Sequence, residues 1–264
     1  MESIHSIVDQ DLDIVRSAAM QEVLRTMERI AASDLSVIIV GEQGTGKEWA
    51  ARFIHRISSR AHGPFLPFDC GALSAEAMEK ELFGYEAVTR DGVIYRRGAL
   101  EEADGGTLLV NELSSLPLPA QMKMARALEY QTMTRVGGDA IIHIHTRIIG
   151  TLSRHPEALM EEGALMKDMY YRISPIVIEL PALRDRREDI PLLIRKFLRE
   201  LRTRYNSPVV GIAPDAAELC QAYNWPGNIR HLKNAIEYAA VMSSGKWIEA
   251  EHLPAYLRQA KDGV

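Results

Sequence analysis

Gly41-Glu42-Gln43-Gly44-Thr45-Gly46-Lys47-Glu48 has the spacing G-x-x-x-x-G-K. Glycines so placed let the backbone curl until successive N–H groups face an anion, and a helix starting near Lys47 adds partial positive charge. The chemistry is phosphate binding: Gly41, Glu42, Gly44, Thr45, Gly46, Lys47 and Glu48 surround the ligand, and Lys47 reaches the β- and γ-phosphates. Position 48 is Glu, where many such loops carry a Ser or Thr that ligates magnesium, so the cation must lean on the end of a second strand. There the pair Asn111-Glu112 follows the apolar run GTLLV. Its first position ordinarily holds a metal-binding aspartate and its second a glutamate that activates water. Asn111 replaces the carboxylate. A unit charge about 4 Å from a dication is worth on the order of 8 kcal/mol gross at an effective dielectric of 20, before desolvation. Glu112 keeps the potential base, or reads as a glutamate at a helix start. Nucleotide binding is therefore expected to survive better than hydrolysis, with magnesium held weakly and no residue assigned as a metal ligand.

The elements that must position these residues follow from periodicity. AAMQEVLRTMERIAA carries apolar residues at helical spacing, and SVIIV behind it suits a buried parallel strand. EWAARFIHRISSR reads as a helix, PFLPFD as a strand, and SAEAMEKELFG as a helix closed by Gly84. GTLLV, RIIGT and PIVIEL read as further strands, PAQMKMARALEY as a helix, and Gly137-Gly138 as the turn of a hairpin. Strands alternating with helices predict an α/β fold with a mainly parallel sheet flanked by helices. From Glu188 to Leu257 only helical periodicity appears, with Pro191, Pro214 and Pro226 near helix starts. PALRDRRED is the expected boundary, giving an α/β part over 1–183 and a helical part over 184–264.

Composition narrows the partners. The chain has 264 residues, 47% of the hydrophobic class and 25% charged, as in an ordinary globular protein. Its apolar runs are far shorter than the roughly 20 residues a membrane-spanning helix needs, and MESIHSIVDQDLDIV has no apolar signal core. Two cysteines, Cys70 and Cys220, are too few for a disulfide framework or a zinc site. These features point to the cytoplasm and no membrane. The net charge of −5 argues against an independent grip on a phosphate backbone, so DNA is expected only through a domain missing from this chain.

The segments AMQEV, GEQGTGKE, PFLPFDCGAL, ELFGYE, GGTLLVNEL, LPLPAQMKMARALE, RVGG, MYYRI, LRDRREDIPLL, WPGNIRHLKN and EHLP run in order along nearly the whole chain. In that order and spacing the chain resembles the central AAA+ domain of bacterial enhancer-binding proteins, the activators that remodel sigma-54 RNA polymerase. The resemblance implies a P-loop α/β subdomain with a C-terminal helical lid. It also implies a homo-oligomeric ring, hexamer or heptamer, with ATP between subunits, and RNA polymerase as partner. It puts the Walker A loop at Gly41, Gly44, Thr45, Gly46 and Lys47, and the Walker B pair at Asn111 and Glu112. The lid's nucleotide-sensing arginine falls at Arg230. Arg172 matches one of two arginines offered to a neighbour's ATP. Arg184 and Arg186 read equally well as a solvated basic turn.

Several positions depart from the family pattern. Where the family carries GAFTGA, this chain has Ala87-Val88-Thr89-Arg90-Asp91-Gly92-Val93, about one residue shorter. The second neighbour-facing arginine matches Met166, and whether Lys167 beside it replaces the charge stays open. The asparagine that couples nucleotide state to the loop matches Asp69, and the segment after RII reads Gly150-Thr151-Leu152 in place of AAT. Arginine fingers contribute about 10³ to 10⁵ in phosphoryl-transfer rate. The expectation is a regulatory module that binds ATP while hydrolysis and sigma-54 remodelling are weak or lost. The alternatives are a working ATPase that activates sigma-54 RNA polymerase, and a module sensing cyclic-di-GMP. The chain also reads as a central domain cut from a longer regulator.

Overall fold

The computed structural model describes residues 13–71, 73–90, 92–173 and 176–259. Asp91 of the 87–93 segment, Pro175 of PIVIEL and both chain ends lie outside the described residues. The chain forms two compact units: residues 25–41 with 47–179, and the described residues up to Leu24 with Glu42–Gly46 and the chain from Leu180 onward.

In chain order the first unit's elements begin with α1 (Ala18–Ala31), which the division cuts after Leu24, then β1 (Val37–Val40) and α2 (Lys47–Arg56). They continue through β2 (Phe65–Asp69), α3 (Ala75–Phe83), β3 (Tyr85–Thr89), β4 (Gly92–Arg96), α4 (Ala99–Glu102) and β5 (Thr107–Asn111). The rest are α5 (Leu118–Tyr130), β6 (Thr132–Met133), β7 (Ile142–His143), β8 (Arg147–Leu152), α6 (Pro156–Glu161), α7 (Lys167–Ile173) and β9 (Val177–Glu179). Five strands form one parallel sheet in the order β2-β5-β8-β1-β9, as alternating strands and helices require. Every residue of β1 and β8 is buried, which is why both read as continuous apolar runs without alternation. Ile38, Val40, Leu108, Val110, Ile148 and Leu152 share one core. Buried Arg147 donates to the carbonyls of Ile30 and Leu35, both at 3.1 Å, and so satisfies the C-terminal end of α1.

Helix limits follow local chemistry. The Ser74 hydroxyl accepts from Ala77 N at 3.4 Å at the start of α3, and Gly84 ends it at φ 75°. Helix α2 stops at Arg56, short of the ISSR expected within it; the Ser58 hydroxyl turns back to His55 O at 2.7 Å and competes with the helical ladder. The 87–93 segment lies in an antiparallel hairpin, β3 with β4, closed where Thr89 faces Gly92. Val88 is 83% exposed and Tyr95 59%.

The second unit contains α8 (Ile190–Tyr205), β10 (Gly211–Ile212), α9 (Pro214–Ala222), α10 (Asn228–Met242), β11 (Trp247–Ile248) and α11 (Ala255–Gln259). Pro191 and Pro214 sit in the first turns of α8 and α9, where a missing N–H costs nothing. The expectation of helices alone is corrected here: β10 and β11 pair in parallel. Two-residue strands are too short to print a period on the sequence. The core gathers Leu193, Ile194, Phe197, Trp225, Leu232 and Ile236. No helix among the described residues is long and apolar enough to cross a membrane.

Candidate functional site

Parallel strands β1, β8 and β5 are neighbours, so their C-terminal ends deliver side chains to one edge of the α/β unit. Gly41, just past β1, donates its N–H to Leu152 O at 3.1 Å. Lys47 opens α2, and its Nζ donates to Gly41 O at 2.7 Å and Ser153 Oγ at 2.8 Å. The same ammonium lies 3.2 Å from Glu112 Oε1, with only 10% of the lysine side chain exposed. Glu112 adopts a left-handed backbone, φ 53°, directly after β5. Its N–H donates to Thr151 Oγ1 at 3.0 Å, and its carboxylate accepts from Ser153 Oγ at 2.5 Å and Ser153 N at 3.2 Å. Asn111 Oδ1 accepts a long 3.4 Å bond from the Thr151 hydroxyl. A lysine, a serine and a glutamate are thereby held together beside a neutral amide.

Other predicted groups lie elsewhere. The Glu48 carboxylate accepts from Arg52 Nη2 at 2.8 Å, a surface i,i+4 pair. Asp69 faces Asn111 in register, but its Oδ1 accepts from Gly71 N at 3.0 Å, a turn of its own. Cys70, next to it, is buried, and desolvation first, with Asp69 and Glu112 adding, pushes its thiol up to about 12, which makes it inert. No group of three or more His, Cys, Asp and Glu side chains converges among the described residues. With an amide at 111 and the Glu112 carboxylate already held by Lys47 and Ser153, the side chains present do not fit a resident divalent cation.

Residues Glu42–Gly46 pack within the helical unit. Glu42 accepts from Arg184 at 2.6 and 3.0 Å and from Asn228 Nδ2 at 3.1 Å; those bonds, Arg184's first, hold its carboxyl down to about 2. Asn228 is fully buried at φ 51°, and its amide also donates to Gln43 O at 3.0 Å while accepting from Leu183 N at 2.8 Å. Arg186, 4% exposed, donates to Thr45 O at 2.5 Å. The solvated basic turn is therefore corrected for Arg186, buried on the loop's Thr45 carbonyl, whereas Arg184 stays exposed and pairs with Glu42 at the surface. Gly44 at φ 78° is obligatory: a Cβ there would meet Gly227 O at 2.4 Å and Arg230 Cβ at 3.2 Å. Arg230 thus stands in the first turn of α10 against Gly44, and its side chain is exposed.

Arg172 on α7 joins neither group. It pairs with Glu129 of α5 at 2.8 Å, at a cavity of about 540 Å³ that Met166 also lines. The sequence reading missed Ser153, Asn228 and the loop-binding use of Arg186. Ser153 carried one signal: it is the first polar residue past a fully buried strand, at the ligand-facing end of a parallel sheet.

Residues 14–179 match the family described as the sigma-54 interaction domain, and residues 184–263 the AAA+ ATPase lid domain. The chain is 43% identical over 247 residues to the regulatory protein AtoC of Escherichia coli K12, covering 93% of this chain and 54% of AtoC. It is 41% identical over 240 residues to the transcriptional regulatory protein ZraR of the same organism, covering 90% and 54%. NtrX from Brucella abortus, solved in complex with ATP, superposes with a TM-score of 0.86 at 36% identity, covering 93% of this chain and 55% of NtrX. The NtrX complex with ADP gives 0.82 at 37% identity, covering 90% and 54%. The chain spans about half the length of these relatives. On the match over 14–179 and the identity to AtoC, the chain belongs to the sigma-54 interaction domain family of AAA+ proteins.

Proposed function

We propose that this chain is the nucleotide-binding AAA+ domain of a bacterial transcription regulator, with ATP retained as ligand and hydrolysis and sigma-54 remodelling weak or lost. The observation that carries the reading is the Lys47–Ser153–Glu112 cluster beside the neutral Asn111. Lys47 is held where a phosphate chain would meet it, at the start of a helix behind a glycine loop. A phosphate arriving there competes with Glu112 for the ammonium and leaves that carboxylate on Ser153, in place to polarise a water. The triphosphate substrate carries its own divalent cation, and at residue 111 that cation meets an amide instead of a charge.

In this reading Gly41, Glu42, Gly44, Thr45, Gly46, Lys47 and Arg230 surround the nucleotide, and Glu48 lies at the loop's helical end. Function divides near residue 183, between a P-loop part and a lid. The chain assembles with copies of itself, Arg172 serves a neighbour's nucleotide, and contact with sigma-54 polymerase is reduced because the 87–93 hairpin differs from GAFTGA. ATP-bound NtrX supports the ligand. A second reading, a working ATPase, is favoured by Glu112, which Ser153 holds at 2.5 Å in the place of a base.

Titration of labelled ATP into dilute protein, followed by phosphate release at high protein concentration, separates the two. Saturable binding with little release supports the proposal. Appreciable release that disappears in Glu112→Gln supports the ATPase, and absence of binding refutes both.

A further inference from the structure

The face between α5 and α7 carries a second guanidinium, that of Arg126 in the segment LPLPAQMKMARALE. Met122, Arg126 and Glu129 fall at i, i+4 and i+7 on α5, so one side of that helix presents all three. With Met166 and Arg172 they line the 540 Å³ cavity, whereas Lys167 does not. The two arginines differ in state. Arg172 is neutralised by Glu129 at 2.8 Å, while Arg126 is exposed and forms no ion pair among the described residues. Their platform is fixed from beneath. Fully buried Gln121, on the same helix, donates to Leu116 O and Ala164 O at 2.9 Å each and accepts from Met166 N at 2.9 Å. The backbone at 166 and the helix bearing Arg126 are therefore stapled together by partly buried bonds.

We propose that Arg126 supplies from α5 the guanidinium that Met166 lacks, and that Arg126 and Arg172 together receive the terminal phosphate of a nucleotide held by a second copy of this chain. This rests on the nucleotide-binding reading above. A phosphate meets Arg126 without displacing any partner, whereas at Arg172 it must exchange with the Glu129 carboxylate. Arg126 is thus the readier donor, and guanidinium–phosphate contacts are strong and directional. The exposed side chains of Met122 (44%) and Tyr171 (71%) on the same face suit an approaching protein surface.

The test compares the wild-type chain with Arg126→Ala, Arg126→Lys, and Arg126→Ala combined with Met166→Arg. Sedimentation velocity with and without ATP reads self-association, phosphate release is recorded on the same samples, and thermal melting checks folding. Arg126→Ala should raise the concentration needed for ATP-dependent association at least tenfold. Arg126→Lys should fall between, and adding Met166→Arg should return association to within about threefold of wild type. A purely structural arginine would not be rescued from position 166. The proposal is overturned if wild type does not associate in response to ATP, if Arg126→Ala associates as wild type does, or if Met166→Arg fails to rescue a variant that melts normally. Should Arg126→Ala melt early, Arg126→Lys carries the comparison, and association equal to wild type at normal melting then overturns the proposal. Failure of the dilute wild-type chain to bind labelled ATP is a separate result, and it refutes the proposed function itself.

Discussion

Two regions of the α/β unit carry charge in opposite ways. At the strand ends of β1, β5 and β8 each polar group has a partner: Lys47 meets Gly41, Ser153 and Glu112, and Thr151 serves both Glu112 and Asn111. On the α5–α7 face, Arg126 stands without an ion pair among the described residues, beside exposed Met122 and Tyr171. The first region holds its polar groups in a connected network of mutual bonds. In the proposed reading the second is completed by a second copy of the chain. Holding a nucleotide and acting on it fall, in that reading, to these separate regions, and the two can be lost independently.

The largest effect that would break the comparison is expected at Lys47. Lys47→Ala removes the only side-chain ammonium among the described residues that bonds Gly41 O and Ser153, and calorimetry with ATP should show affinity lowered at least 100-fold. Affinity within a few-fold of wild type would mean that the strand ends are not where the phosphates bind.

Next is Gln121, the staple under the second region. Gln121→Leu strands Leu116 O, Ala164 O and Met166 N, at a cost of about 3 kcal/mol. By the usual scaling for a chain of this size, that lowers the melting temperature by roughly 5–10 °C. ATP-dependent association should weaken while nucleotide binding at the strand ends persists; equal loss of both would merge the two regions into one.

The smallest effect is electrostatic and lies in the helical unit. Glu42's carboxyl is lowered from the ordinary 4.5 to about 2 by Arg184 and Asn228, so the stabilisation it gives is complete above about pH 4.5 and is lost as pH falls toward 2. Because that pair is about 40% exposed, solvent screening keeps the contribution small. Acid titration monitored by tryptophan fluorescence should show a shallower loss between pH 4.5 and 2 in Arg184→Gln than in wild type, and identical curves would remove the pair from the account.

Much of the architecture could be read in advance where the physics is local or periodic. VIIV, TLLVN and RIIGTL are buried on both faces and so nearly unbroken apolar runs, and Gly44 is demanded by a backbone that leaves no room for a Cβ. Contacts distant in sequence could not be read. Asn228 reaches Glu42 and Arg186 reaches Thr45 across more than 140 residues, and nothing in LRDRRED or WPGNIR alone says which arginine will be buried. Ser153 was hidden differently: RIIGT ends two residues before it, and a serine past a strand carries no period. The β10–β11 pair is too short for alternation to register.

The central claim is that the strand-end cluster grips a nucleotide while a neutral residue at the end of β5 keeps it from being split. Phosphate release at saturating ATP from Asn111→Asp and wild-type protein, with ATP affinity measured alongside, tests this most directly. The account predicts at least tenfold faster release from Asn111→Asp at an affinity within about threefold of wild type. Equal and rapid release from both would contradict it.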